Sequence, residues 1–239
     1  MNRMKIISAT ILSLLLSLQP FLLKADSSTD NSIRLNSDQS KIDGKTGLFE
    51  HCGNAILTQQ GLTIKAECLI GKKSKTGEYE HISAQGNPAE LIQKSLKKNE
   101  TLTVTAKKIE YRVSESQFTI NTNAKLHVIS NDVDSVSIAA TTIQLDNKNV
   151  NDRNILAVGK PLTVELIKSN QTDLKAEAER LHYNTKSSKL ELSNNVVANL
   201  ESRKISAGVF RYNGETKVSS FEKSDDAQVE IIQTKKESK

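Results

Sequence analysis

The sequence predicts an all-β protein: an elongated, twisted β-jellyroll or sandwich built from stacked antiparallel strand repeats. Apolar and polar residues alternate along most of the chain, and one pattern of apolar residues recurs five times. After residue 30, no segment of the sequence shows a helical period of useful length. Alternation with a period of two is typical of strands that bury one face.

The chain begins with a short positive segment, an apolar run at residues 6–23 and the residues Leu23-Lys24-Ala25. A charged start, an apolar middle and a small residue at the end predict a cleaved signal peptide over residues 1–25. The alternative is an uncleaved membrane helix over residues 6–23, because about 17 residues is the shortest apolar run that spans a bilayer. Under both interpretations the rest of the chain lies outside the cytoplasm.

The strongest signal in the remaining chain is an internal repeat centred on five alanines. An apolar residue stands two positions before each alanine, and another stands three positions after it. These two positions have opposite parity, so a strictly alternating strand would expose one of them. A bulge after each alanine re-aims the side chains, which predicts strands that bend between two facing sheets. The alternative is a compact sandwich without a repeat. The alanines are Ala66, Ala106, Ala140, Ala178 and Ala207.

A second set of segments interleaves with the alanines and is rich in Gly, Asn and Pro. Such clusters indicate turns, so we expect each to end one strand and begin the next. Three further segments are also expected to be turns: Gly71–Gly77, Asn121–Asn123 and Asn147–Asn154. The interleaved segments are Gly53-Asn54-Ala55, Gly86-Asn87-Pro88, Asn123-Ala124, Gly159-Lys160-Pro161 and Asn194-Asn195-Val196.

Composition excludes several classes of function. The formal net charge is +5, but residues 1–25 carry three basic residues and no acid, which leaves +2 for the rest. A near-neutral chain with no Trp and 4% aromatic residues argues against a nucleic-acid partner. The four histidines lack the spacing of metal ligands. No nucleophile elbow, Walker loop or dinucleotide fingerprint is present, so we expect no enzyme activity, metal or cofactor.

Seven further segments are read together, in their order over residues 33–171. They are Ile33-Arg34-Leu35-Asn36-Ser37-Asp38-Gln39, Gly53-Asn54-Ala55-Ile56, Thr58-Gln59-Gln60-Gly61, Ile64-Lys65-Ala66, Gly86-Asn87-Pro88-Ala89, Ala106 to Tyr111, and Gly159-Lys160-Pro161 through Ser169. This ordered set resembles the OstA-like family of lipopolysaccharide transport proteins. The resemblance implies an open-ended β-jellyroll in the periplasm that shields the lipid A acyl chains of lipopolysaccharide. It also implies transport from an inner-membrane export complex to an outer-membrane assembly complex.

The resemblance also implies partners: inner-membrane and outer-membrane OstA-like components, and further copies of this chain joined head to tail. Open strand edges accept another strand. We expect one edge at Ile33–Leu35 and the other at Lys217–Phe221 or at Gln228–Ile232. The predicted domains are a signal peptide (1–25), an OstA-like domain (26–221, in which 172–221 is an additional repeat), and a final edge strand with a flexible basic tail (222–239).

A lipid carrier replaces water with an apolar wall, because each exposed CH₂ group costs about 0.8 kcal/mol. The candidate lipid-binding residues are apolar positions of the alternating strands. Plain core packing has the same sequence signature, and that alternative stays open. The candidates are Ile33, Leu35, Ile56, Ile64, Leu91, Val104, Ile109, Tyr111, Val113, Phe118, Ile120, Leu126 and Val128.

The two cysteines, Cys52 and Cys68, flank the turn predicted at Gln59–Gly61. In a hairpin centred on Gln60 they lie opposite each other, at a separation that permits a bridge. An exported protein with two cysteines is suited to one disulfide. We therefore hypothesise a disulfide between Cys52 and Cys68.

Three other functions remain open at this stage. The first is an inner-membrane-anchored relative in the same export pathway, held by an uncleaved helix at residues 6–23. The second is a structural or adhesive β-repeat protein with a dry core and no lipid. The third, a carbohydrate-active enzyme, lacks a recognisable pair of catalytic carboxylates.

Overall fold

The computed structural model describes residues 34–233, except 60, 77–78, 96–98, 131–133, 150–151, 170, 201–202 and 226. All regular structure in these residues is β-strand, which confirms the predicted all-β class. The predicted signal peptide lies outside the described residues. The strands are β1 (Arg34–Asn36), β2 (Gln39–Ile42), β3 (Leu48–Gln59), β4 (Leu62–Lys73), β5 (Tyr79–Ser95), β6 (Glu100–Arg112), β7 (Gln117–Ser130), β8 (Asp134–Asp146), β9 (Asn154–Lys168), β10 (Gln171–Asn184), β11 (Lys189–Leu200), β12 (Arg203–Asn213), β13 (Val218–Glu222) and β14 (Glu230–Gln233).

The fourteen strands form one antiparallel sheet, and from β3 to β13 each strand pairs with the next strand in sequence. The path runs from β1 through β3 to β13 in order, with β2 also paired to β3 and β14 also paired to β12. Neighbouring strands lie about 4.8 Å apart, so the twelve strands of this path give a stack roughly 50 Å long. The predicted stack of antiparallel strand repeats is confirmed.

Each long strand, β3 to β12, bends near its middle, where its pairing register shifts. In β6, for example, the shift separates residues 100–105 from residues 108–112. We call the two halves of the sheet arm I and arm II, and the row of bends between them the fold line. Arm I contains residues 48–52, 68–73, 79–85, 108–112, 117–121, 142–146, 154–158, 180–184, 189–193 and 209–213, with β2 and β13. Arm II contains residues 55–59, 62–66, 89–95, 100–106, 124–130, 134–140, 162–168, 171–178, 196–200 and 203–207, with β1 and β14.

On the even-numbered strands the fold line follows the five repeated alanines, as predicted. Register shifts occur between Lys65 and Cys68 and between Thr105 and Lys108, around the first two of these alanines. Beside the bend, alanine is often paired with alanine on the neighbouring strand, as in the register pairs Ala55–Ala66, Ala89–Ala106 and Ala124–Ala140. Small side chains at these positions let the backbone change direction without overpacking the interior.

On the odd-numbered strands the prediction of turns is wrong, because the Gly-, Asn- and Pro-rich segments lie inside strands at the fold line. Three of them contain or overlap a pair of consecutive residues at positive φ, and the other two contain a cis X-Pro bond. Bulges and turns both need residues that tolerate left-handed backbone, so their sequence signals are alike. The positive-φ pairs are Gly53-Asn54, Thr122-Asn123 and Asn194-Asn195, and the cis bonds are Asn87–Pro88 and Lys160–Pro161.

The two arms share one hydrophobic core. A single cluster of buried side chains contains Leu102 and Val104 of arm II together with Ile109 and Tyr111 of arm I. Outward neighbours on the same strands, such as Lys107 and Arg112, are exposed. The bent sheet therefore encloses one continuous apolar interior between its arms.

Candidate functional site

The predicted lipid-binding residues converge on this interior. Ten of them are buried in the one core cluster, and Leu35 is partly buried against it. Ile33 lies outside the described residues. The interior thus brings together residues from β4 to β7 that are far apart in sequence. The ten are Ile64, Leu91, Val104, Ile109, Tyr111, Val113, Phe118, Ile120, Leu126 and Val128.

Ile56 is a correction to the predicted set. It is only half-buried and pairs with Lys65, whose side chain points outward, whereas its neighbour Leu57 is buried in the core. Ala55, Ile56 and Leu57 are all apolar, so alternation alone does not assign the inward position. The bulge between Cys52 and Ala55 assigns it to Leu57.

Aromatic rings pair at three levels of the stack, the first being Phe49 with Tyr79 near the N-terminal end, with ring centroids 5.4 Å apart. Tyr111 and Phe118 are stacked near the middle, with ring centroids 4.4 Å apart. Phe210 and Phe221 are stacked near the C-terminal end, with centroids 4.9 Å apart. Burial raises the pKa of the Tyr111 phenol, because an apolar interior disfavours the charged phenolate.

Opposite the fold line, the hairpin ends of the two arms approach each other along a line that we call the seam. Arg153, at the arm I end just before β9, donates from Nη1 to Glu100 Oε1 of arm II at 2.5 Å. Its Nη2 donates to Gln93 Oε1 of arm II at 3.2 Å. Closer to the C-terminal end, Tyr212 of arm I donates to Asp173 of arm II. These hydrogen bonds join the hairpin ends of arm I to the hairpin ends of arm II, and we call these two rows of hairpin ends the lips of the seam.

A further bond crosses the seam from Lys168 Nζ to the carbonyl oxygen of Gly214. Beside the Arg153 pair, the pKa of Tyr183 is raised to about 12 by burial and then by the negative charge of Glu100. No local sequence pattern indicates this cluster, because Arg153 falls in a segment predicted as a turn and Glu100 lies 53 residues away. Only the folding of one arm over the other brings them together.

The two ends of the stack have the same construction. At the N-terminal end, β1 pairs with arm II of β3 and β2 pairs with arm I of β3. At the C-terminal end, β13 pairs with arm I of β12 and β14 with arm II. The two segments predicted as alternatives for the second edge, Lys217–Phe221 and Gln228–Ile232, therefore both correspond to strands, β13 on arm I and β14 on arm II. Ile42 of β2 and Ile231 of β14 are 71% and 58% exposed.

Cys52 and Cys68 are register partners beside the fold line at the N-terminal end. Their sulfur atoms are bonded in the structure, and their Cα atoms lie 4.1 Å apart. Glu50 Oε1 lies 3.5 Å from Cys52 Sγ. Within the described residues these three side chains group as metal ligands do. Metal binding by cysteine requires free thiolates, so the bonded pair does not form such a site.

The architecture defines a class of β-protein. A bent sheet encloses an apolar interior, its two arms meet along the seam, and each arm carries a short strand at both ends of the stack. The sequence profile of the family described as LptA/(LptD N-terminal domain) LPS transport protein matches residues 34–149 and 134–218. The matches together span most of the chain, including residues 172–218. The chain belongs to this family, whose members are transport proteins and not enzymes, and the predicted OstA-like membership is confirmed.

The chain is also similar to the lipopolysaccharide export system protein LptH of Pseudomonas aeruginosa. The two are 24% identical over 104 residues, which cover 44% of this chain and 59% of that protein. The chain thus spans about three fifths of this curated relative's length. A crystal structure of LptH, titled the LptA homologous periplasmic component of the lipopolysaccharide transport device of Pseudomonas aeruginosa, is 23% identical. It aligns over 48% of this chain and 76% of that one, with a TM-score of 0.43.

Among the residues that the structure describes, no helix has the length and apolar character needed to cross a membrane.

Proposed function

We propose that this protein is a periplasmic lipopolysaccharide-binding bridge, which shields the lipid A acyl chains on their way from the inner-membrane export complex to the outer-membrane assembly complex. The observation that carries the proposal is the single apolar interior between the arms, in a chain of the lipopolysaccharide transport family. LptH, named as an export system protein and as a periplasmic component, supports the same assignment.

The energetics of lipid transfer favour this use of the interior. By the rule of about 0.8 kcal/mol per CH₂, an acyl chain of about a dozen carbons costs on the order of 10 kcal/mol to expose to water. Side chains such as Leu91, Val104 and Tyr111 offer an apolar surface along the stack. The seam lies opposite the fold line and is closed by side chains instead of continuous backbone. A head group too large for the interior can therefore stay outside while its chains lie between the arms.

End-to-end assembly follows from the strand edges in the same proposal. Edge strands present unpaired backbone groups that accept a strand from another chain. β2 and β14 are exposed along their whole length, as edge strands are. We propose that copies of this chain join head to tail through these ends. The terminal copies would join the inner-membrane and outer-membrane OstA-like components.

The domain boundaries are part of the proposal. Residues 1–25 act as a signal peptide, residues 26–221 form the OstA-like domain with 172–221 as an additional repeat, and residues 222–239 provide the final edge strand and tail. Mass spectrometry of the mature protein tests the first boundary. A chain that begins near Asp26 supports export and cleavage, whereas an intact N-terminus supports the anchored alternative.

Site-specific photocrosslinking in living cells tests the function. A photoreactive amino acid at Tyr111, which faces the interior, is expected to crosslink to glycolipid. The same group at Arg112, the adjacent exposed position, is the matched control and is expected to give no glycolipid adduct. At Ile42 and Val218, on the terminal strands, the expected adducts are with protein. Absence of glycolipid at Tyr111, or equal yields at Tyr111 and Arg112, would refute the carrier function.

A further inference from the structure

The ion pair at the seam is anomalous in an apolar interior. The side chain of Arg153 is 1% exposed, and Glu100 is 9% exposed. Arg153 donates from Nη1 to Glu100 and from Nη2 to Gln93, while its buried Nε has no hydrogen-bond partner among the residues that the structure describes. Replacing a buried ion pair by apolar residues is often neutral or stabilising, so stability alone does not account for this cluster.

The position of the pair suggests what it does. Arg153 precedes β9 at the end of arm I, whereas Glu100 begins β6 and Gln93 lies near the end of β5, both on arm II. The pair therefore joins the two lips of the seam about halfway along the stack. If the acyl chains travel inside and the head group outside, as in the function proposed above, the linkage between them must pass between these lips. The pair must then break to let the cargo through.

We propose that Arg153 is a binding residue for the phosphate groups of the glycolipid cargo. When the lips part, the guanidinium exchanges Glu100 for a cargo phosphate, and Glu100 at the hairpin end becomes hydrated. A guanidinium matches a phosphate with two parallel hydrogen bonds, and the free Nε supplies one of the donors. Arg153 thereby holds the seam closed when the interior is empty and binds a phosphate of the head group when the interior is filled.

Among the described residues, the two other contacts named at the seam lack this combination. Lys168 bonds to a backbone carbonyl, and Tyr212 contributes a neutral hydroxyl. Neither is a buried guanidinium paired with a carboxylate across the seam. Glu100 and the cargo phosphate are both anions that compete for the same donors on Arg153. The proposal therefore predicts opposite effects of changing the two members of one pair.

The test measures binding of the full mature chain to lipid A that carries its phosphates and to the same lipid after dephosphorylation. Glu100→Gln keeps a hydrogen-bond partner for Arg153 but removes the competing charge, and is expected to tighten binding of phosphorylated lipid A about tenfold. The double variant Arg153→Met with Glu100→Gln is expected to weaken it about tenfold. Neither variant should bind dephosphorylated lipid A more weakly than the wild type does, because the pair that must break to admit any cargo is weakened in both. Arg153→Lys should show an intermediate loss for phosphorylated lipid A because it keeps the charge without the fork.

Controls separate the possible failures. Lys65→Met with Glu90→Gln removes an ion pair on the outer surface, 3.1 Å apart, and is expected to change neither affinity. Equal effects on both lipids, or no effect on either, would overturn the role of Arg153 while leaving the carrier function intact. A wild type that binds neither lipid would instead refute the carrier function. Inorganic phosphate that binds the wild type as tightly as phosphorylated lipid A would show a free-phosphate site and overturn the assignment to lipid.

Discussion

The fold line and the seam bound the same apolar interior on opposite sides, but different parts of the chain form them. The fold line is continuous backbone: alanine pairs such as Ala89–Ala106 alternate with left-handed pairs such as Asn194-Asn195. The seam is joined by side chains, among them Arg153 with Glu100 and Tyr212 with Asp173. A backbone bend is permanent, whereas side-chain bonds exchange. In the carrier function proposed above, we therefore expect the interior to open at the seam and to hinge at the fold line.

The largest expected effect is at the seam. Glu100→Ala leaves the charge of Arg153 unpaired in the interior and is expected to lower the free energy of unfolding by about 3–5 kcal/mol. Urea unfolding measures this loss, and the double variant Glu100→Met with Arg153→Met is expected to restore most of it. A loss below about 1 kcal/mol would mean that water already reaches Arg153, as at an exposed pair, and that the seam is open without cargo.

The disulfide adds covalent stabilisation beside the fold line at the N-terminal end. Cys52 and Cys68 are 16 residues apart, and a loop of about that size gives roughly 3 kcal/mol of stabilisation. The variant Cys52→Ala with Cys68→Ala is expected to lose about this amount in urea unfolding. Reductant should lower the stability of the wild type to a similar level and leave the variant unchanged. Insensitivity of the wild type to reductant, with free thiols in titration, would show that the two cysteines are not joined.

A smaller effect is expected from a single bend residue. Asn194 has a φ of +65°, and placing alanine in this left-handed conformation costs about 1 kcal/mol more than asparagine. Asn194→Ala is expected to lower the unfolding free energy by that amount, while Asn194→Gly should be close to neutral. Asn199→Ala, at an exposed position of the same strand without positive φ, is the matched control. Equal losses at both positions would show that the bend does not depend on left-handed backbone.

The smallest effect is expected away from both boundaries. Lys65 and Glu90 form an ion pair between β4 and β5 on the outer surface, with the lysine side chain about half exposed. Exposed pairs contribute about 0–1 kcal/mol, and salt screens them. Lys65→Met is therefore expected to change the unfolding free energy by less than about 1 kcal/mol, and still less at high salt. A loss as large as that of Glu100→Ala would erase the distinction between the seam and the outer surface.

The bends show how much of the strand geometry a short sequence segment predicts by itself. The parity change around Ala106 predicts that the strand bends, and β6 bends there. The segment Asn194-Asn195 signals left-handed backbone equally well, but it lies within β11 and does not end a strand. Whether such a residue ends a strand or bends it depends on the pairing of the neighbouring strands, which extends through both halves of β11.

The sequence by itself determined the all-β class, the repeat, the bends after the alanines, the family and most of the apolar interior. These follow from local backbone preference and from alternation, which each strand carries within a few residues. The tertiary structure decided that Leu57 faces inward in place of Ile56, that β13 and β14 both pair with β12, and that Arg153 meets Glu100 across the seam. Those contacts depend on the exact bulge positions and on which arm lies over which, and no single segment of the chain encodes that arrangement.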